Sequence, residues 1–331
     1  MIKHTSTKLN GNPTLDLEAI RILQAIEKTG SFAAAARALG KVPSALTYSI
    51  RKLEDELDVL LFDRAGKAAV MTPAGRELLE QGGLLLKAAS DLTARVQSLA
   101  QGWEPELRIA VDGLISMEAL PALIKEFYTF RDAANASTQL RLSHEILDGG
   151  WDALIDKRSD LSIGLPYDAP LQALLERRFS ICEMGAMSFA YCVSPKHPLA
   201  TVKEPIDPAV LGQYRAVAVA GTAINLPARS VGLMRGQDTL TVATLKDKIQ
   251  MQIAGLAVGY IPLTFAKPFL KSGQLITKKI NEKPLTAQLH YAWPYRSAGQ
   301  GTGNALSWWL SKLAVVRIQK MLIGAINSEK F

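Results

Sequence analysis

Apolar positions recur at helical spacing three times near the amino end. Leu15, Ala19, Ile22, Leu23 and Ile26 form one stripe that stops at Gly30, with Thr14 placed to cap it. A short Ala-rich helix is predicted from Phe32 to Leu39, its first turn capped by the Ser31 hydroxyl, which can accept from an otherwise unpaired N–H. Gly40 breaks that helix, and Pro43, with φ preset for a first helical turn, opens the next. Leu46, Ile50, Leu53 and Leu57 give this third helix one buried stripe, while Ser44, Thr47, Tyr48 and Arg51 point the other way. Residues 60–64 and 68–71, around a turn at Ala65-Gly66-Lys67, read as a small two-stranded wing.

Thr72-Pro73 then opens a long helix reaching Trp103. Leu78, Leu85, Leu92 and Leu99 repeat at heptad spacing, with Gly82, Ala89, Val96 and Trp103 in the other seam, as in paired helices. A helix packed on its own domain would show a similar stripe, and Gly82-Gly83 marks a close crossing or a bend. Beyond Trp103-Glu104-Pro105 the pattern changes to short apolar strands alternating with helices. Strands are expected at 107–111, 140–146, 160–165, 189–193, 216–220, 240–242, 257–261 and 290–293. Helices are expected at 117–130, 151–157 and 245–254, with one long helix at 305–323. This rhythm argues for a mostly parallel sheet.

The second and third helices have the form of a helix-turn-helix, whose recognition helix presents its leading end to the major groove. An ordinary surface hairpin of helices would share the pair alone. The whole amino-terminal stretch resembles the DNA-binding domain of the LysR-type transcriptional regulators. The matching pieces are Gly30-Ser31-Phe32 with the alanine run, Ser44-Ala45-Leu46-Thr47, Ile50-Arg51-Lys52-Leu53-Glu54, Leu57, Leu61-Phe62-Asp63-Arg64 and Thr72-Pro73-Ala74-Gly75. The family usually has Ser-Gln-Pro where this chain has Val42-Pro43-Ser44, so base readout shifts toward Ser44, Thr47, Tyr48 and Arg51. Ser31, together with Arg64 and Lys67 on the wing, completes the candidate DNA-binding set through phosphate or minor-groove contact.

The resemblance continues into the second part through Cys192-Val193-Ser194-Pro195, His197-Pro198-Leu199-Ala200 and the run Ile253 to Pro262. It implies an α/β fold: a winged helix-turn-helix, a long linker helix, and an effector domain of two lobes similar to periplasmic solute-binding proteins. The expected division is a polar tail 1–14, the winged helix 15–72, a linker and dimerisation helix 73–103, and the effector domain 104–331. Lobe I would span about 104–178 and 280–331, and lobe II about 179–279, with crossings near Arg178 and near Gly273 to Lys279. Open parallel sheets bind ligands beyond the carboxyl ends of their strands. The candidates there are Asp112, Leu114, Ser116 and Ile146 in the first lobe and Thr222 in the second. The strand-to-helix step at 112–116 offers helix N–H groups suited to an anion. Relatives often have Ser or Thr where Leu114 falls, and Asp112 adds negative charge, which leaves an uncharged or aromatic effector open beside a carboxylate.

Charge and composition add limits. The chain has 331 residues and a formal charge of +7. Residues 15–72 hold eight Lys/Arg and eight Asp/Glu, so any basic face comes from segregation, with the run Glu54-Asp55-Glu56-Asp58 at the far end of the third helix. Lys3 and Lys8 in the tail would add phosphate contacts without sequence information. Cys182 and Cys192 are too few for a metal cluster, and the four histidines are scattered. Ser143-His144-Glu145 cannot form a triad on a strand, where neighbours face opposite sides. No signal peptide is legible and no apolar run spans a bilayer, so a cytoplasmic, nucleoid-associated regulator is expected. It would be a non-enzymatic, sequence-specific DNA-binding protein without resident cofactor, controlled by a small-molecule effector. Its partners would be an interrupted palindromic site on double-stranded DNA and other copies of itself, as homodimer or homotetramer, with RNA polymerase open as a further partner. A solute-binding protein is the rival reading, which the helix-turn-helix disfavours.

Overall fold

The computed structural model describes residues 15–63, 70–166, 178–227, 230–295 and 302–325. The chain divides into two compact units, Met1–Val96 and Gln97–Phe331. The polar tail, the wing turn and the candidates Arg64 and Lys67 lie outside the described residues.

In the first unit α1 (Leu17–Thr29), α2 (Phe32–Ala38) and α3 (Pro43–Leu57) pack around one core, followed by β1 (Phe62–Asp63) and β2 (Val70–Met71). Asp16, rather than Thr14, caps α1 by accepting from the Glu18 N–H, and Gly30 ends it in the left-handed region at φ 73°. Ser31 caps α2 as expected, accepting from Ala34 N at 3.2 Å. Ile22, Leu23, Ile26, Ala35, Ala36, Leu46 and Ile50 are almost wholly buried together. The alanines let α2 and α3 cross closely. β1 and β2 pair antiparallel, Phe62 opposite Met71.

Glu54 stands apart from the rest of its acidic run. It is 4% exposed, and its Oε1 accepts from the N–H groups of Leu61 at 2.9 Å and Phe62 at 3.2 Å. The carboxylate thus ties the end of the third helix to the strand that follows, accepting from two buried donors.

The long helix α4 runs Pro73–Ala100. Two of its expected seam residues face elsewhere. Leu78 is half-buried against the winged-helix core, and Trp103, beyond the helix end, is 5% exposed and packs in the core of the second unit with its ring 5.5 Å from Phe130. Gly82 marks a close crossing: a Cβ there would lie 2.7 Å from Ile20 Cγ2 of α1. Leu85, Leu92 and Leu99 remain 48%, 59% and 54% exposed.

In the second unit β3 (Glu106–Asp112), α5 (Leu120–Ala133), β4 (Gln139–Glu145), α6 (Gly149–Ile155) and β5 (Leu161–Pro166) build the first lobe. β6 (Phe179–Val193) carries the chain across. The second lobe holds α7 (Pro208–Leu211), β7 (Ala216–Val219), β8 (Thr239–Val242), α8 (Leu245–Ile253), β9 (Gly259–Pro262), α9 (Leu263–Lys271) and β10 (Ile276–Lys278). The chain returns through β11 (Thr286–Pro294) to α10 (Asn304–Leu313) and α11 (Val316–Leu322). The single carboxy-terminal helix expected at 305–323 is therefore two, separated at Ala314 and Val315.

The large sheet has the order β10-β6-β11-β5-β3-β4, with β9 also on β6. β3 is parallel to β4 and β5, and β7 is parallel to β8, as the βαβ rhythm implies. The crossing strands are antiparallel to their neighbours, because the chain leaves and re-enters the first lobe through them. β6 serves both lobes. Phe179 to Ser188 pair with β11, and Met184 and Met187 lie in the first lobe's core. Phe189 to Val193 pair instead with β9 and β10. The changeover falls at Ser188 and Phe189, further along than Arg178, and the return lies beyond β10.

The Glu54 contacts give a direct test. Glu54→Ala leaves two buried N–H groups unpaired and should lower the stability of the amino-terminal unit by about 2–4 kcal/mol, read by urea denaturation; Glu54→Gln, which keeps a carbonyl acceptor, should recover much of it.

Candidate functional sites: an exposed helix face and a cavity between two lobes

The free face of α3 is built by burial on the other side. With Leu46, Ile50 and Leu53 in the core, Ser44, Arg51 and Lys52 stand exposed and Tyr48 is 71% exposed. Thr47 is half-buried and its hydroxyl donates to Pro43 O at 3.0 Å, which leaves its oxygen lone pairs and methyl group outward. Arg51 makes no ion pair among the described residues. Asp55, Glu56 and Asp58 lie at the opposite end, and Glu56 is 3.8 Å from Lys52 Nζ. The Ser31 hydroxyl is committed to capping α2, beside this face.

A cavity of about 720 Å³ lies between the two lobes of the second unit. Asp112 ends β3 and Gly113 and Leu114 follow it, His144 is near the end of β4 and Ile146 just beyond, and Ala218 and Val219 end β7. Lys248 and Tyr260 add the second lobe's side chains, and Phe189 with Thr286 to Gln288 closes the side formed by the crossing strands. This is the carboxyl end of the parallel strands, where such sheets take ligands.

Two expected residues stand elsewhere. Ser116 is outside the lining: its N–H donates to Leu322 O at 2.7 Å and its Oγ accepts from Glu118 N. Thr222 spends its hydroxyl on the first lobe, donating to Glu145 Oε2 at 2.5 Å and accepting from Ile146 N at 3.0 Å. The expected anion site at the 112–116 step is also closed. Gly113 N donates to Glu145 O, Leu114 N to Asp112 Oδ1 and Ile115 N to Asp112 O, at 2.8–3.0 Å. The helix begins only at Leu120, one turn later, so no row of free N–H groups faces the cavity.

Asp112 is 6% exposed. Burial pushes its carboxyl up to about 7, against the N–H bonds from Leu114 and Leu147, and the Glu145 charge pushes the same way. Lys248 is 8% exposed, and burial pulls its ammonium down to about 8. The two residues line the cavity from opposite lobes.

A second contact joins the lobes. Asp152 of α6 is 1% exposed and accepts from Ile224 N and Asn225 N of the second lobe, both at 3.0 Å, and from Arg158 Nη2 at 2.6 Å. Burial alone would raise this carboxyl. The two N–H groups and the guanidinium outweigh it and hold the group below its ordinary range. Asn225 Nδ2 also reaches Asp156 Oδ2. Sequence reasoning missed Asp152, Lys248 and Tyr260, since nothing local separates them from other charged or aromatic residues on helices and strands.

Among the described residues no group of His, Cys, Asp or Glu is placed to hold a metal ion. No described helix is long and apolar enough to cross a membrane.

Comparison with known proteins resolves the class. A model for the bacterial regulatory helix-turn-helix protein, lysR family, matches residues 17–76, and a model for the LysR substrate binding domain matches residues 100–312. The chain is 36% identical over 297 residues to the uncharacterized HTH-type transcriptional regulator YeeY of Escherichia coli, covering 90% of this chain and 92% of that protein. It is 37% identical over 299 residues to the probable HTH-type transcriptional regulator YhaJ of the same organism, covering 90% and 96%. A solved OxyR mutant from Corynebacterium glutamicum shares the fold, with a TM-score of 0.56 at 17% identity over 96% of each chain. The outward face of α3 and the interlobe cavity are therefore parts of a non-enzymatic DNA-binding regulator, and the chain belongs to the LysR family of transcriptional regulators.

Proposed function

We propose that Ser44, Thr47, Tyr48 and Arg51 read an interrupted palindrome in the promoter. The observation that carries this is the exposure of Tyr48 and Arg51 on the one face of α3 that the core leaves free. Arg51 suits guanine or phosphate, and Tyr48 offers a ring and a hydroxyl to a base edge or backbone. Arg64 and Lys67 supply backbone contacts from the wing, and Ser31 holds α2 in register beside the duplex.

Subunits pair through Leu85, Leu92 and Leu99, giving a two-fold protein for a two-fold site, as a dimer or a tetramer of paired dimers. Leu78 belongs to the winged-helix core and is not part of this seam. The effector occupies the cavity, touching Asp112, Leu114 and Ile146. It acts by favouring one arrangement of the lobes, with Thr222 and the Asp152 contacts as the element that is remade. An effector shifts such an equilibrium only by its differential affinity for the two arrangements. The output is altered promoter binding or bending, with RNA polymerase as the partner that senses it, in a cytoplasmic protein on the nucleoid that needs no resident cofactor.

Three measurements test this reading. Arg51→Ala should weaken binding to a fluorescent fragment of the native promoter by about 1–3 kcal/mol while the oligomer stays intact; unchanged affinity would remove Arg51 from the contact set. Leu92→Glu should dissociate the paired subunits in light scattering, and a variant that keeps the parental mass would assign pairing elsewhere. Asp152→Asn should speed hydrogen exchange at the Ile224 and Asn225 amides by about tenfold or more, since an amide oxygen accepts more weakly than a carboxylate.

A further inference from the structure

Residues 222–226 follow β7 of the second lobe, yet their bonds are to the first. Ala220 N still donates to Val242 O of β8. Beyond it, Thr222 N donates to Ile146 O at 3.3 Å, and the Thr222 hydroxyl stands between Glu145 Oε2 and Ile146 N. Ile224 N and Asn225 N donate to the Asp152 carboxylate, Asn225 Nδ2 donates to Asp156, and Leu226 packs on the cluster of Trp151, Leu154 and Leu165. Among the described residues this segment makes no hydrogen bond to its own lobe. It is a strap laid from one lobe onto α6 of the other.

The surface of α6 is shaped to receive this strap. At Gly149, which opens the helix, a Cβ would lie 1.9 Å from Thr222 Oγ1 and 2.7 Å from Glu145 Oε2, so a side chain there would push the strap away. Arg158 gathers the acids behind it, with Nη2 2.6 Å from Asp152, Nη1 3.7 Å from Glu145 and Nε 3.9 Å from Asp156. The guanidinium offsets the repulsion among these carboxylates, which leaves their other lone pairs to the strap's donors. The Ile224 side chain, by contrast, is 73% exposed. The strap is thus held by hydrogen bonds and by Leu226, an attachment that opens more readily than a packed core.

The strap is also bracketed by the cavity wall. Ala218 and Val219 lie just before it and Val231 and Gly232 shortly after, and Ile146, which it grips on the other lobe, lines the cavity too. Lys248 stands inside, only 8% exposed.

We propose that the strap 222–226 is a releasable gate: docked on α6 it clasps the two lobes over the cavity, and its undocking admits molecules larger than water. This rests on the reading of the Thr222 and Asp152 contacts as the element that is remade, and it gives those contacts a task, entry, that is independent of which effector arrives. Thr222 is the positioning residue of the gate, because its hydroxyl both donates and accepts across the lobes.

The test reads entry through Lys248. Burial pulls its ammonium down to about 8, so near that pH much of it is free amine and its acylation rate reports access. The full chain is treated with sulfosuccinimidyl acetate, and acetylation of each lysine is followed by mass spectrometry. Parental Lys248 should react about tenfold or more slowly than Lys271, which is exposed on α9. Thr222→Val, which removes the hydroxyl at nearly constant shape, should speed Lys248 by about tenfold or more and leave Lys271 unchanged. Thr222→Ser, which keeps the hydroxyl, should stay close to the parental rate. Asn225→Ala, at the exposed end of the strap, should act in the same direction as Thr222→Val and replaces it if that variant does not fold. A parental Lys248 as fast as Lys271, or a folded Thr222→Val or Asn225→Ala chain whose Lys248 gains nothing over the parent, overturns the gate. The rates are read without any effector. A chain whose effector binds elsewhere would still show the gate, and a chain without the gate would still leave the cavity as a site.

Discussion

One strand pairing holds the effector domain together. β6 lies antiparallel to β11 over its first part and to β9 and β10 over its last, so the sheets of both lobes share a single continuous backbone. The ladder shifts register between Leu289 and His290, beside Gly185 at φ 129°, and a bulge of that kind bends and twists its strand. The bend lies inside the first lobe, before the changeover at Ser188. The two lobes are therefore joined by the continuous backbone of β6, paired with β11 before the changeover and with β9 and β10 after it, and by the return segment 279–285. Phe189 and Thr286 to Gln288, on this same pair, form one wall of the cavity.

Buried charge is distributed with a purpose that the partners make plain. Glu54 and Asp152 are almost fully enclosed, and each has backbone N–H groups as acceptors' partners, so their cost is offset where they stand. Glu145 is treated similarly by Thr222, with Arg158 Nη1 at 3.7 Å. Burial disfavours the ionised forms of both Asp112 and Lys248, and both line the cavity. Asp112 also accepts from two backbone N–H groups, yet burial outweighs them there, whereas at Asp152 the N–H groups and Arg158 prevail. The cavity-lining groups are the ones a ligand can still improve.

Local pattern was legible and distant partnership was not. The stripe Leu46, Ile50 and Leu53, the Ser31 cap and the break at Gly40 are set by neighbours within a turn or two, and the amino-terminal helices follow them closely. The strands of the first lobe were readable for the same reason. In the sequence Glu54 is one member of an acidic run, and its donors arrive from the segment after the helix. Leu78 and Trp103 fit a heptad by spacing, but each meets a core on its own unit. Thr222 was placed at the right strand end, yet its hydroxyl serves Glu145, 77 residues away in sequence. Asp152 meets Ile224 N across 72 residues. Lys248 falls on an ordinary amphipathic helix, and only the assembled second lobe places it, buried, on the wall of the cavity.

Cys192 illustrates what enclosure does to reactivity. Its sulfur is wholly buried in the second lobe, and burial pushes the thiol up to about 12 despite the ammonium beside it. Nucleophilic attack on peroxides or disulfides requires thiolate, of which such a group holds almost none at neutral pH. Cys192 therefore contributes volume and polarisability to its cluster, and a swing in cellular oxidant level passes this atom by.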